Sequence, residues 1–193
     1  GLTIVYYLTA QNLAVIDSRE TALQEESEVL YMAIKNAMLA GEAPLAVDLI
    51  QSIRQSALVK DIRLYRADGD LAFSDNRTLM AVNATIGEDR FQPKTTFITG
   101  PPLREPRLRE AVDRVIDVSV RRTAEPPRTL TIYKPLINQP RCAGCHGTDH
   151  VVRGVIRVSS SLDTVYAQTL KNVYVAGGIY AAVVAVLSIL MLA

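Results

Sequence analysis

The chain has 193 residues, which is enough for one ordinary domain with flanking helices but short for two full domains. Its 21 Lys and Arg residues nearly balance its 20 Asp and Glu residues, so no net field attracts nucleic acid and we expect no nucleic-acid partner. Hydrophobic residues make up 49% of the chain and charged residues 21%, a composition typical of a folded rather than a disordered protein.

The first 16 residues carry no charge, although Gln11 and Asn12 interrupt the apolar run. We interpret residues 1–16 as the end of a first membrane-spanning helix that begins before the sequence given. A secretory signal peptide is the alternative interpretation. The segment lacks the positively charged start and the clear cleavage site that a signal peptide needs.

Residues 17–41 contain no proline and no internal glycine, which predicts a long helix. An apolar column with a spacing of seven residues runs along it: Ile16, Leu23, Leu30 and Ala37. A coiled coil needs a second apolar column, and here that column contains Glu20 and Ser27 before Ile34. We therefore expect this helix to pack against its own domain or against a dimer partner.

Residues 44–57 carry regularly spaced apolar side chains and predict a second, amphipathic helix after the break at Gly41 and Pro44. Residues 58–66 then alternate between apolar and polar side chains. They are followed by Asp68-Gly69 and a short apolar run at 71–73, which together predict a β-hairpin.

Residues 76–106 contain four prolines and only weak periodicity, so we expect a loop with at most one short strand at 95–99. Residues 108–122 repeat apolar side chains with a helical period, and the pattern predicts a helix that Pro126-Pro127 closes. The segments 128–137 and 151–160 are rich in β-branched and aromatic residues and predict two further strands.

The end of the chain predicts a helix that continues into a membrane. Ser160 and Asp163 have the spacing of a capping box, and we expect the helix to run from Leu162 without a break. Residues 173–193 contain no charge and are long enough to cross a hydrocarbon core about 30 Å thick. Residues 17–172 then form one α+β domain between two membrane helices, with four or five antiparallel strands.

The connection between the two predicted strands carries the run Cys142-Ala143-Gly144-Cys145-His146. It holds the only two cysteines of the chain, with one of its two histidines directly after them. This spacing is that of c-type haem attachment, in which two thiols form thioethers with the haem vinyl groups and the adjoining imidazole binds the iron. We expect one covalent haem c, with Gly144 and Gly147 leaving room for the macrocycle.

Two other interpretations of the motif remain open. A disulfide between Cys142 and Cys145 explains the two cysteines but ignores the histidine. A zinc site formed by these two cysteines, His146 and His150 would have all four ligands within nine residues.

The run Pro140 to Gly147 and the following Val152 to Val158 resemble the single-haem periplasmic sensor domains of bacterial chemoreceptors, sensor kinases and cyclases. The resemblance covers nearly the whole chain in organisation, but only these two runs are specific. It implies a PAS-like or Cache-like antiparallel sheet with a long N-terminal helix, placed in the periplasm between two helices of the inner membrane. It also implies a homodimer.

The sequence offers several candidates for the sixth iron ligand. Met80 is the first candidate, and Met32, Met38 and His150 are alternatives. An exchangeable ligand, or none from the protein, is the prediction we favour. Arg153 and Arg157 lie on one side of their predicted strand and are candidate partners for the haem propionates, with solvated strand charges as the alternative.

The predicted function is transmembrane sensing of redox state or of a small gas at the haem iron. The alternative is a membrane-anchored electron carrier, which needs only one anchor and no moving helix. No cluster of acid–base or nucleophilic residues lies outside the motif, so we expect no catalysis by this chain. Small residues at Gly177, Ala181 and Ala185 predict contact between two membrane helices in a parallel dimer.

Overall fold

The computed structural model describes residues 2–53 and 59–192. Within them the elements follow in the order α1 (Leu2–Leu39), α2 (Ala43–Ile53), β1 (Asp61–Arg66), α3 (Arg77–Ile86), α4 (Pro106–Arg114), β2 (Val118–Arg122), β3 (Thr129–Ile137), α5 (Pro140–His146), β4 (Val152–Ser161) and α6 (Asp163–Leu192). This is a mixed α+β architecture, as the sequence predicts.

The four strands form one antiparallel sheet in the order β1-β4-β3-β2. Because side chains alternate along a strand, the sheet buries two different faces. One face, with Ile132 and Val158, packs against α1 and α2. The other face, with Tyr133 and Val155, packs against α4. Both central strands are therefore buried on both sides.

The long predicted helix is confirmed and forms the greater part of α1, which continues without a break from Leu2. The heptad column Ile16, Leu23, Leu30 and Ala37 is at most 6% exposed. The polar residues of the second column also have partners within the domain, because Glu20 pairs with Arg121 and the Ser27 hydroxyl donates to the Gln24 carbonyl. This face of α1 packs within its own domain, mostly against the sheet and α2, so the column is not available as the dimer contact that was the alternative for it.

The second helix is confirmed from Ala43 to Ile53, and the remainder of the predicted segment, to Ala57, lies outside the described residues. The predicted hairpin is confirmed only in part. Its first strand is β1 and its turn contains Gly69 at φ 89°, but the returning strand is reduced to one bridge between Tyr65 and Leu71.

The predicted loop over residues 76–106 is wrong at its start, where α3 forms, and residues 95–99 form no strand. The helix was hidden because its inward positions include the polar Asn83, which is only 9% exposed. Its side-chain amide donates to the Phe91 carbonyl at 2.8 Å and accepts from the Phe91 N–H at 3.0 Å. A buried amide that is satisfied in this way replaces an apolar side chain and interrupts the apolar period.

The predicted helix over residues 108–122 is correct only in its first half. The helix α4 ends at Arg114, Val115 takes a left-handed conformation with φ 56°, and residues 118–122 form β2. Pairing with β3 therefore overrides the helical period. Pro126-Pro127 lies in the connection between β2 and β3 rather than at the end of a helix.

The two later predicted strands are confirmed as β3 and β4, and α6 follows β4 almost directly. At the start of α6 the Ser161 hydroxyl, rather than that of Ser160, accepts the Asp163 N–H at 3.3 Å. Within residues 2–53 and 59–192, α6 is the one helix that is long and apolar enough to cross a membrane, and its apolar stretch is not buried against the domain. The expectation of a first membrane helix at residues 1–16 stays a prediction.

Candidate functional site

The Cys142–His146 run lies on α5, a seven-residue helix on the connection between β3 and β4. Pro140 occupies its first turn, where no N–H is needed, and the Gln139 carbonyl accepts the Cys142 N–H at 2.8 Å. Gly147 ends the helix at φ 71°, a conformation that favours glycine, and its N–H donates to the Ala143 carbonyl at 2.9 Å. The short helix thus holds both cysteines and the histidine on one rigid unit.

A cleft of about 710 Å³ opens beside α5, within the size range of small-molecule and cofactor sites. Its walls come from three parts of the chain: residues 145–153, the helix α3, and the end of β1 with the turn after it. Cys145 and His146 both line it. Cys142 lies on the same helix, and both cysteines are unpaired and partly exposed. Cys142 is also near α1, because it is one of the groups that raise the pKa of Tyr31, after burial and Glu28.

The His146 side chain is held in the form that binds metals. Burial is the main cause that lowers its pKa, the Arg153 guanidinium lowers it further, and Asp149 opposes this shift. A lowered pKa keeps the imidazole neutral at pH 7, and the neutral ring has a nitrogen lone pair for a metal.

Two side chains hold the end of α5 in place. Arg153 Nη2 donates to the His146 and Gly147 carbonyls, the latter at 2.9 Å, and to Asp149 Oδ1 at 2.5 Å. Asn138 Nδ2 donates to the Gly147 carbonyl at 2.8 Å and to the His150 carbonyl at 3.0 Å. Arg153 Nε and Asn138 Oδ1 are buried without a hydrogen-bond partner in the described part of the chain. Unsatisfied buried atoms at such a place are consistent with a site that a bound group completes.

The structure brings only some of the predicted site residues together. Arg153 and His150 line the cleft with Cys145 and His146. Arg157 lies farther along β4, where it pairs with Asp61 at 3.0 Å, and it does not line the cleft. Met80 is on α3 but is 65% exposed and lines a different cleft, next to Phe91.

The other methionines also lie outside the cleft. Met32 is 42% exposed on α1, and Met38 packs against the core formed by α1, α2 and the sheet. The structure therefore brings no predicted methionine ligand to His146.

Sequence reasoning missed the whole α3 wall. This wall consists of Arg77, Thr78, Ala81, Val82 and Thr85, and Arg66 adds to it from the end of β1. A signal was present, because residues 78, 81, 82 and 85 follow the spacing of one helix face. The prolines farther along the segment led to the prediction of a loop.

The other interpretations of the motif can be compared with this geometry. The two cysteines form no disulfide. Among the residues that the structure describes, no three His, Cys, Asp or Glu side chains are gathered so that they could hold a metal ion, so the four-ligand zinc site is not assembled. Two thiols and an imidazole on one helix, beside a cleft of this size, suit a haem that is attached at its edge and ligated through its iron.

Comparison with known proteins found no matching protein-family model and no similar curated protein. Support for the chemistry of this site therefore comes from its own residues.

Proposed function

We propose that this chain is a c-type haem sensor domain, held at a membrane by α6, which responds to redox state or to a small gas at the haem iron. One observation carries the proposal. The Cys142–His146 run lies on a short helix whose Cys145 and His146 line a cofactor-sized cleft. The PAS-like identity, the two flanking membrane helices and the periplasmic location belong to the same proposal.

Each residue of the motif has a role in it. Cys142 and Cys145 would hold the haem by thioethers, and His146 would be the proximal iron ligand. The haem, when bound, supplies an iron that changes oxidation state and binds small molecules. The protein's part is to keep His146 neutral and to fix its backbone through Arg153 and Asn138.

The α3 wall supports an exchangeable sixth ligand. Where it lines the cleft, α3 presents Thr78, Ala81, Val82 and Thr85, and none of these side chains is a strong iron ligand. The Thr85 hydroxyl donates to the Ala81 carbonyl, and Thr78 Oγ1 accepts from Arg66 Nε. His150 is the strongest protein ligand besides His146 in the cleft, and its side chain is 67% exposed.

The chain path supports transmission towards the membrane. The strand β4 runs from Arg153 at the cleft, through the centre of the sheet, to Ser161, and α6 begins two residues later. A small displacement of α5 can reach α6 through one buried strand. Electron carriage requires no such path, which is why we place sensing first.

The test of haem attachment uses the full chain expressed with a c-type haem maturation system. We expect haem-dependent peroxidase staining at the mass of the chain on a denaturing gel. Cys142→Ala should abolish or cripple attachment, whereas Met80→Ala, outside the cleft, should keep the stain. Loss of all colour on denaturation of the wild-type chain would contradict the proposal.

The test of sensing compares ferric and ferrous protein in detergent by hydrogen exchange. We expect altered exchange in residues 163–172, the part of α6 outside the apolar stretch. Unchanged exchange there, in a protein that cycles between oxidation states, would favour electron carriage.

A further inference from the structure

Three arginines line the cleft, and they do not have the same capacity to bind a further anion. They are Arg66 at the end of β1, Arg77 at the start of α3 and Arg153 on β4. Each guanidinium carries five N–H donors, so its free donors can be counted from its contacts.

Arg66 has every guanidinium nitrogen in use. Its two Nη atoms form a bidentate pair with Asp75, with Nη1 at 3.1 Å from Oδ2, and Nε donates to Thr78 Oγ1 at 3.1 Å. The side chain is 11% exposed. This arginine ties the end of β1 to the start of α3, and its two remaining N–H donors are on nitrogens that already bind Asp75.

Arg153 is committed to the motif itself. Its Nη2 contacts the His146 and Gly147 carbonyls and Asp149, and its Nε is buried. It therefore lies on the side of the cleft where the thioethers and the iron ligand would be, and it acts as a clamp on α5.

Arg77 differs from Arg66 in its donors and from Arg153 in its position. Like Arg153 it makes its side-chain contacts through Nη2 alone, but it lies on α3, whereas Arg153 is 20% exposed and lies against the motif. Arg77 uses only Nη2, at 2.6 Å from Asp68 and 3.3 Å from Asp70, and its Nε and Nη1 have no hydrogen-bond partner among the described residues. Its side chain is 53% exposed, so these two ion pairs are in contact with water and weak. It belongs to α3, which forms the wall of the cleft that faces α5.

Haem carries two propionate carboxylates on the pyrrole rings that bear no vinyl group. When cysteines hold the vinyl edge, the carboxylates are on the other side of the macrocycle. A guanidinium with free donors is the protein group best suited to bind a carboxylate.

We propose that Arg77 binds a haem propionate and so connects α3 to the cofactor, in place of the strand arginines Arg153 and Arg157. The inference rests on the proposed haem. Its consequence is that the haem is held from two sides: by covalent bonds to α5 and by an ion pair to α3.

The experiment compares the holoprotein with Arg77→Gln, Arg77→Lys and Arg107→Gln. Arg107 is an equally exposed arginine on α4, paired with Glu110 and outside the cleft, so it controls for the loss of one surface charge. The readouts are the midpoint potential and the propionate bending bands in resonance Raman spectra.

We expect Arg77→Gln to keep full haem content but to lower the midpoint potential by more than Arg107→Gln does and to shift a propionate band. Loss of a cation beside the haem disfavours the reduced form, which has one positive charge less. Arg77→Lys should restore the potential in part, because it keeps the charge without the bidentate fork.

The possible failures are distinguishable. A wild-type chain without covalent haem contradicts the proposed function. A chain with normal haem whose potential and propionate bands are unchanged in Arg77→Gln overturns only the role of Arg77. The same shifts in Arg153→Gln but not in Arg77→Gln would assign the propionate to the strand.

Discussion

Gly154 lies on β4 opposite Arg66 of β1, immediately after the arginine that clamps α5. A Cβ at this position would lie 2.5 Å from the Tyr65 carbonyl oxygen, which real Cβ atoms do not tolerate. Any larger residue would push the two strands apart at the edge of the cleft. The requirement for glycine therefore comes from backbone approach, and it keeps Arg153 in register with the carbonyls that it binds.

Substitution of Met80 tests which face of α3 lines the cleft beside His146. The Met80 side chain lines the other cleft, next to Phe91, and is 65% exposed. We expect Met80→Ala to leave the Soret band of the ferric and the ferrous holoprotein unchanged and to leave carbon monoxide binding to the ferrous protein intact. His146→Ala is the positive control and should disturb the spectrum. A change from a low-spin to a high-spin spectrum in Met80→Ala would show that this methionine reaches the iron.

The residues of the candidate site could be predicted from the sequence where the spacing along the chain alone identifies them. Cys142, Cys145 and His146 lie within five residues, so the motif is recognisable in the sequence, but the helix α5 that carries it was predicted only as a connection between two strands. Arg66 comes to the cleft because β1 pairs with β4, which places it opposite Gly154, and Arg77 comes there because α3 packs against α5. Both contacts join segments that are distant in the sequence. Such a contact leaves no trace in local periodicity.

Two asparagines, Asn76 and Asn83, attach α3 to the segment that follows it through hydrogen bonds, where the other helices use apolar contacts. Asn83 pairs reciprocally with the Phe91 backbone, and Asn76 pairs in the same way with Lys94, at 3.0 Å to its carbonyl and 2.9 Å from its N–H. Each side-chain amide thus pairs with the backbone as a neighbouring strand would. The loop that follows α3 is held by these amides, and polar residues that bind backbone read as loop when the sequence is seen alone.

The long helix α1 is stabilised by the domain rather than by its own sequence. Ile34 is fully buried between α1 and the sheet, whereas Val29 on the same helix is 68% exposed. We expect Ile34→Ala to lower the free energy of unfolding by about 2–5 kcal/mol, because it removes buried methylenes and leaves a cavity. Val29→Ala should change it by less than about 0.5 kcal/mol.

Urea unfolding of the full chain in detergent, followed by circular dichroism, measures both values. Equal effects of the two substitutions would mean that this face of α1 does not pack on the sheet as described.

Helices and strands with a strong period were predictable, and those decided by distant contacts were not. The heptad column of α1 and the β-branched runs of β3 and β4 gave their type and position correctly. The residues of β2 were predicted as helix because they directly follow the amphipathic pattern of α4. Their strand conformation is determined by pairing with β3. The capping hydroxyl of α6 belongs to Ser161, one residue after the predicted Ser160. A distant contact is again involved, because the Asp163 carboxylate accepts the Arg128 N–H at 3.0 Å.

The whole chain has its two long helices side by side near the expected membrane surface. The helix α1 packs against α6, with Ile16 and Val165 both buried. The apolar stretch of α6 is not buried against the described residues of the chain. The surfaces of α6 that remain for a second copy are therefore those of its apolar stretch, which is long enough to cross a membrane.

Small residues recur every four positions on one face of that stretch, at Gly177, Ala181 and Ala185, and a Cβ added at Gly177 would meet nothing within 4 Å. In lipid, helices associate where small side chains let their backbones approach closely. A dimer of this kind could turn a small shift at the haem into a relative displacement of two paired helices. The heptad column of α1 is buried within each chain and cannot also serve as a dimer contact. Of the two predicted dimer contacts, only the small residues of α6 remain.

We expect the holoprotein in membranes to crosslink through Gly177→Cys, Ala181→Cys or Ala185→Cys far more than through Ile179→Cys or Val183→Cys, which lie on the opposite face of α6. The native thiols do not interfere, since both would be bound to haem as thioethers. Each single-cysteine variant is oxidised under the same conditions, and the dimer fraction is read on a non-reducing gel. Equal yields on the two faces would mean that α6 meets its partner without a specific interface, and the small residues would then reflect only the abundance of glycine and alanine in membrane helices.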